Sequence, residues 1–140
     1  MMVHRDVVTA RVTRATAWLA DAEQLFAHDE EAFVDATRER DLALFYLFLA
    51  LQECIDLAAH WVADANWGMP DDAGSTFDEL ADRHAIPRDL ADRLREGVGL
   101  RNRIAHGYAL LDYRRVRSEA LVGIPSLKDF LAAVGREAGI

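Results

Sequence analysis

The chain of 140 residues holds a single cysteine, Cys54, which excludes an intramolecular disulfide. Cys54 falls in an apolar helical run with Leu49, Leu51, Ile55 and Leu57, the setting of a small buried core thiol. No cluster of Cys and His has the spacing of a zinc site. The N-terminus, Met-Met-Val-His-Arg-Asp, lacks the apolar stretch of a secretory signal. No uncharged run approaches the roughly 18 residues that a membrane span needs; the longest is Leu42–Gln52. Alternating strand patterns and internal repeats are missing as well. These absences argue against a stapled secreted scaffold, a zinc module, a membrane-spanning protein or a solenoid. They read as a soluble cytoplasmic protein with no metal or cofactor site.

What is present is helical. Half the residues, 51%, are hydrophobic, too many for disorder, and the length fits one domain over residues 1–140. Val8, Val12, Ala15, Leu19, Ala22 and Phe26 recur at steps of three and four, predicting a first helix over 4–27. A second helical stretch, 30–66, is long for one helix in so small a domain, so a break is expected around Thr37–Asp41. Trp67 to Gly74 reads as a loop from its Gly, Pro and Asp content. Thr76 with Glu79 has the form of a capping box opening a short helix that ends near His84. Pro87 suits the first turn of the next helix, which should stop near Gly107. Asp112 caps a helix to about Leu121, and Ser126 with Asp129 opens a last one from Leu127. The expected fold is an all-α, up-and-down bundle of five to six helices.

Charge is unevenly spread. The net charge is −8, yet residues 83–117 carry nine arginines against four carboxylates, leaving −13 on the remainder. A phosphate-binding face on an acidic scaffold requires such a concentration, although a solvated Arg-rich helix gives the same count.

Within that block residues 101–108 read Arg-Asn-Arg-Ile-Ala-His-Gly-Tyr. Arg supplies a permanent planar charge that forks onto phosphate oxygens, and His moves protons near neutral pH. On a helical wheel with Leu90 at zero, Arg101 falls near 20° and Tyr108 near 0°, on the apolar arc, while His106 falls near 160°. A guanidinium in an apolar arc needs a compensating partner. Arg101 and His106 can meet on one phosphate only if the helix ends at Ala105, the Arg bends out, or two subunits share the site. Simpler roles stay open: a His in a last turn interacts with free carbonyls, and Tyr108 can pack as a core aromatic. On the earlier apolar helix, Glu53, Asp56, His60 and Asp64 form one polar stripe. It lacks the usual two-His metal arrangement and reads as a wet groove, with Asp56 the candidate partner for Arg101.

These residues resemble the HepT-like branch of the HEPN (higher eukaryote and prokaryote nucleotide-binding) superfamily. The resemblance rests on Arg101, His106 and Tyr108, spaced as Arg, four residues, His, one residue, Tyr, with Asn102 after the Arg. It extends over Leu51-Gln-Glu-Cys-Ile-Asp-Leu-Ala-Ala-His60, the Pro70 loop, Phe77-Asp-Glu-Leu-Ala81, Leu94 through Tyr108, and the Ser126-Leu-Lys-Asp-Phe130 segment. It implies a homodimeric, metal-independent ribonuclease toxin with tRNA as substrate, its site built from both subunits. The implied catalytic residues are Arg101, His106 and Asn102; Glu53, Asp56 and His60 of the polar stripe, with Arg103, are expected from the sequence to support them. It implies also a partner, an MntA-like minimal nucleotidyltransferase that silences the toxin by placing AMP on Tyr108. The alternative is a non-catalytic nucleotide-binding or docking partner of such a nucleotidyltransferase.

Overall fold

In the computed structural model, which describes residues 4–140, six helices and a 3-10 turn follow one another with short connections. They are α1 (Arg5–Phe26), α2 (Glu30–Asp35), α3 (Thr37–Asp64), α4 (Ala73–Asp82), α5 (Arg88–Gly107), the turn Tyr108–Leu110 and α6 (Tyr113–Ala138). No strand occurs among the described residues. The fold is the expected all-α bundle.

The centre is α3, which packs against all five other helices. Its buried residues run from Ala43 and Leu44 through Leu47, Ala50, Leu51, Cys54, Leu57 and Ala58 to Trp61 and Val62. This helix amends the reading made from uncharged runs: an 18-residue window in it has mean hydropathy 1.7, enough by length and composition to cross a membrane. Half of that window is buried inside the bundle, where the same apolar residues make the core. Cys54 is among them, and burial, with the Glu53 charge, pushes its thiol pKa far up.

The break between the second and third helices comes at Ala36, just before the expected interval, where φ −83° and ψ 75° leave the helical region. One N-cap differs from expectation. The cap of α4 is Asp72, whose carboxylate accepts from the Ser75 N–H at 2.7 Å, so Thr76 lies inside the helix. Thr76 donates its hydroxyl back to the Asp72 carbonyl instead. Asp112 caps α6 as expected, accepting from the Arg115 N–H.

The larger correction concerns α6. No separate helix begins at Leu127; α6 is continuous for 26 residues with Pro125 inside it. Ser126 is buried and accepts a hydrogen bond from Arg93 Nε at 2.8 Å, so its hydroxyl ties α6 to α5 rather than capping anything. Buried Ile124, Leu127, Phe130 and Leu131 hold the helix across the proline. Tertiary burial outweighs the local penalty of a proline in a helix, about 3 kcal/mol. Pro125→Ala is therefore expected to raise stability by about 1–3 kcal/mol, read as a higher denaturation midpoint at unchanged cooperativity. A lower midpoint would show that the proline is needed where it stands.

Candidate active site

The motif is carried by α5, which stays regular from Arg88 to Gly107, so the helix does not end at Ala105. Gly107 itself has φ −137°, outside the left-handed region, and passes the chain into the 3-10 turn that begins at Tyr108. Arg101 and His106 therefore lie about 140° apart on one helix. Arg101 is half-buried toward α3, while His106 is exposed in the last turn. A single chain does not bring them together.

Arg101 is not paired with Asp56. Its Nη1 donates to Gln52 Oε1 at 2.7 Å, and Gln52 Nε2 donates to Asp56 Oδ1 at 3.1 Å. Gln52 thus stands between the two, using its amide oxygen for the cation and its NH2 for the carboxylate. Arg101 Nε is buried without a hydrogen-bond partner, a desolvation cost that the apolar arc imposes.

The surrounding arginines differ from it. Arg83, Arg88, Arg93, Arg95, Arg103, Arg114 and Arg115 all form ion pairs with carboxylates from α2, α4, α5 or α6. Arg101 and Arg117 are held by neutral oxygens instead, the Gln52 amide and the His28 carbonyl. Carboxylates thus offset most of the basic block, which favours the ion-paired Arg-rich surface over a continuous phosphate-binding face, the two readings that its charge count left open. An arginine held by an amide keeps its charge for an anionic ligand; one held by a carboxylate does not.

Tyr108 is half-buried and donates its hydroxyl to Asp41 Oδ1 on α3. That oxygen is 3.5 Å from Arg40 Nε, and the Arg40 guanidinium lies 3.8 Å over the Tyr113 ring. Burial, then the hydrogen bond to Asp41 and its charge, push the Tyr108 pKa well above that of an ordinary phenol. The resting phenol is a protonated donor.

The remaining supporting residues disperse. Glu53 turns to α1, 3.4 Å from Arg11 Nε and 3.9 Å from Arg14 Nη2, while His60 is exposed. Arg103 pairs with Glu119, which Arg115 also holds, and Asn102 is exposed. Among the described residues no three His, Cys, Asp or Glu side chains are placed to hold a metal ion. A cleft of about 550 Å³ lies between α5 and α6, floored by Leu51, Leu94, Leu100 and Ile124; neither Arg101 nor Tyr108 lines it.

A family model described as ribonuclease HepT-like matches residues 17–134. The chain belongs to the HepT-like family. This HepT-like chain is 26% identical over 107 residues to the mRNA nuclease HepT of Shewanella oneidensis, covering 76% of this chain and 80% of the relative. Its fold matches that of a tri-AMPylated Shewanella oneidensis HEPN toxin solved with its MNT antitoxin: TM-score 0.85, 23% identity, 94% of this chain and 98% of the other. It also matches YutE, a cytosolic protein of unknown function from Bacillus subtilis: TM-score 0.83, 16% identity, 98% and 92% covered. The structure brings to the candidate site two residues that the motif does not include, Gln52 and Asp41. Both lie on one stripe of α3 with Asp56, at spacings of eleven and four residues. Polar residues on the apolar central helix were the available signal, and Gln52 falls inside the resembling block.

Proposed function

We propose that this chain is the toxin of a toxin–antitoxin pair, a metal-independent endoribonuclease acting as a homodimer and silenced by AMP on Tyr108. One observation carries the reading. Arg101 is fixed by a neutral amide, its charge un-neutralised, on the opposite side of α5 from an exposed His106. Since the helix is unbroken from Arg101 to His106, a composite site joins Arg101 of one subunit to His106 of the other.

The chemistry follows from the groups. His106 removes the proton from a ribose 2′-hydroxyl, whose oxygen attacks the adjacent phosphorus in line. Arg101 stabilises the added negative charge on the phosphorane oxygens, and exposed Asn102 orients a phosphate oxygen. The 5′-oxygen leaves and takes a proton, giving a cyclic phosphate and a 5′-hydroxyl. An MntA-like nucleotidyltransferase transfers AMP to Tyr108, adding charge and bulk where the RNA phosphate must sit. The AMPylated, antitoxin-bound state of the Shewanella protein supports this reading, through a shared fold.

The test is RNA cleavage in excess chelator, with mass spectrometry establishing a bare Tyr108. The resemblance points to tRNA and the Shewanella relative is named an mRNA nuclease, so both substrates are assayed. Cleavage that disappears in Arg101→Ala and His106→Ala supports the reading. No cleavage of either RNA leaves the docking module. A further variant probes the amide. Gln52→Glu, nearly isosteric, puts a carboxylate on Arg101 and should lower kcat by about 10- to 100-fold, more than Gln52→Ala does. Equal rates for Gln52→Glu and wild type would show that Gln52 does not set the Arg101 charge.

A further inference from the structure

The Tyr108 hydroxyl faces a base. Asp41 Oδ1 accepts the hydrogen bond that this hydroxyl donates across the gap between the 3-10 turn and α3. The carboxylate is itself held in place. Arg40 beside it is pinned by its bond to the Val34 carbonyl at 2.8 Å and by the Tyr113 ring. The titratable and charged groups facing Tyr108 are thus Asp41 and Arg40 of α3 and Tyr113 of α6. None of these belongs to the Arg101–His106 pair, and cleavage gives Asp41 no task.

Transfer of a nucleotide to a phenol does give it one. The Tyr108 oxygen must form a bond to the α-phosphorus of a nucleoside triphosphate while the bond from that phosphorus to the bridging oxygen breaks. Pyrophosphate leaves with the electron pair, and the phenolic proton must go elsewhere. An unperturbed phenol is only about 0.1% ionised at pH 7, so attack needs an acceptor in contact. As the oxygen–phosphorus bond forms, the phenol becomes acidic enough for a neighbouring carboxylate to take its proton.

We propose that Asp41 is that acceptor, so the target chain supplies the base for its own nucleotidylation. The proposal rests on the reading of Tyr108 as the modified residue. Transfer should also drive the modified side chain out of its original place. After transfer the phenolic oxygen has no proton to donate, and its phosphodiester repels the Asp41 carboxylate.

The experiment measures initial rates of AMP incorporation into the full chain by intact-protein mass spectrometry, with the minimal nucleotidyltransferase and magnesium ATP. Asp41→Asn is nearly isosteric and still accepts the Tyr108 hydrogen bond, but it cannot take a proton. Its rate at pH 7 should fall about 100-fold. The ratio of variant to wild-type rate, in which the transferase's own titration cancels, should rise about tenfold per pH unit between 7 and 9 as the phenol ionises unaided. A variant modified on Tyr108 at the wild-type rate would overturn the role of Asp41. So would a deficit that is the same at every pH, which marks a structural effect. Tyr108→Phe separates the two readings: a variant that accepts AMP as fast as wild type, on another residue, sinks the Tyr108 assignment and Asp41 with it.

Discussion

An Arg101→Ala chain and a His106→Ala chain, each inactive alone, are expected to cleave RNA when combined in one dimer. The expectation follows from the helix geometry. Removing a charge-stabilising donor costs about 10²–10³ in kcat, and removing a general base about 10²–10⁴. In a mixed dimer one of the two composite sites joins the intact Arg101 of one subunit to the intact His106 of the other. The second site carries both lesions. Random pairing of equal amounts makes half the dimers mixed, so recovery should reach about a quarter of wild-type activity. Co-expression of the two variants under different affinity tags isolates the mixed species, which should show about half of wild-type activity. If Arg101 and His106 of one chain acted together, the mixed dimer would stay as inactive as its parents. That outcome would require Arg101 to leave Gln52 and swing around α5.

The largest effect on stability is expected at Phe130. Its ring is fully buried where three helices meet, edge-on to Phe77 of α4 at 5.3 Å and 6.3 Å from Trp61 of α3. Phe130→Ala removes the burial of an aromatic side chain and leaves a cavity that fixed helices cannot close, about 3–5 kcal/mol. Chemical denaturation should show a lower midpoint with unchanged slope. A loss under about 1 kcal/mol would mean that α6 slides to refill the space.

Much of the fold is readable from periodicity alone. The first helix differs from its expected bounds by one residue at each end, because all of its periodic residues except the partly buried Val12 make up its buried set, Val8, Ala15, Leu19, Ala22 and Phe26. Local signals fail where distant contacts decide. Ser126 and Asp129 have the form of a cap, but the hydroxyl is taken by Arg93 from another helix. Thr76 and Glu79 have it too, yet Asp72 lies at the true boundary and reaches the Ser75 N–H first. The site shows the same division. Arg101, His106 and Tyr108 are visible in one octapeptide, and the inward place of Arg101 follows from the wheel. The partners are not visible, because Gln52 and Asp41 stand 49 and 67 residues away from the groups they hold. The pairing of the arginines is likewise a property of the packed bundle: Asp78 reaches Arg88 and Arg95 only once α4 lies on α5.

Pro125 also restricts how the molecule can assemble. It has no N–H to offer the Leu121 carbonyl one turn earlier, and both residues are exposed. That carbonyl is left for water, and any protein surface laid over it must supply a donor or trap a solvent molecule. The middle of α6 is therefore unsuited to a dry, purely apolar contact. A neighbour settling there, whether a second subunit or an antitoxin, has to arrive with polar groups in register, which makes this stretch a filter on quaternary contacts.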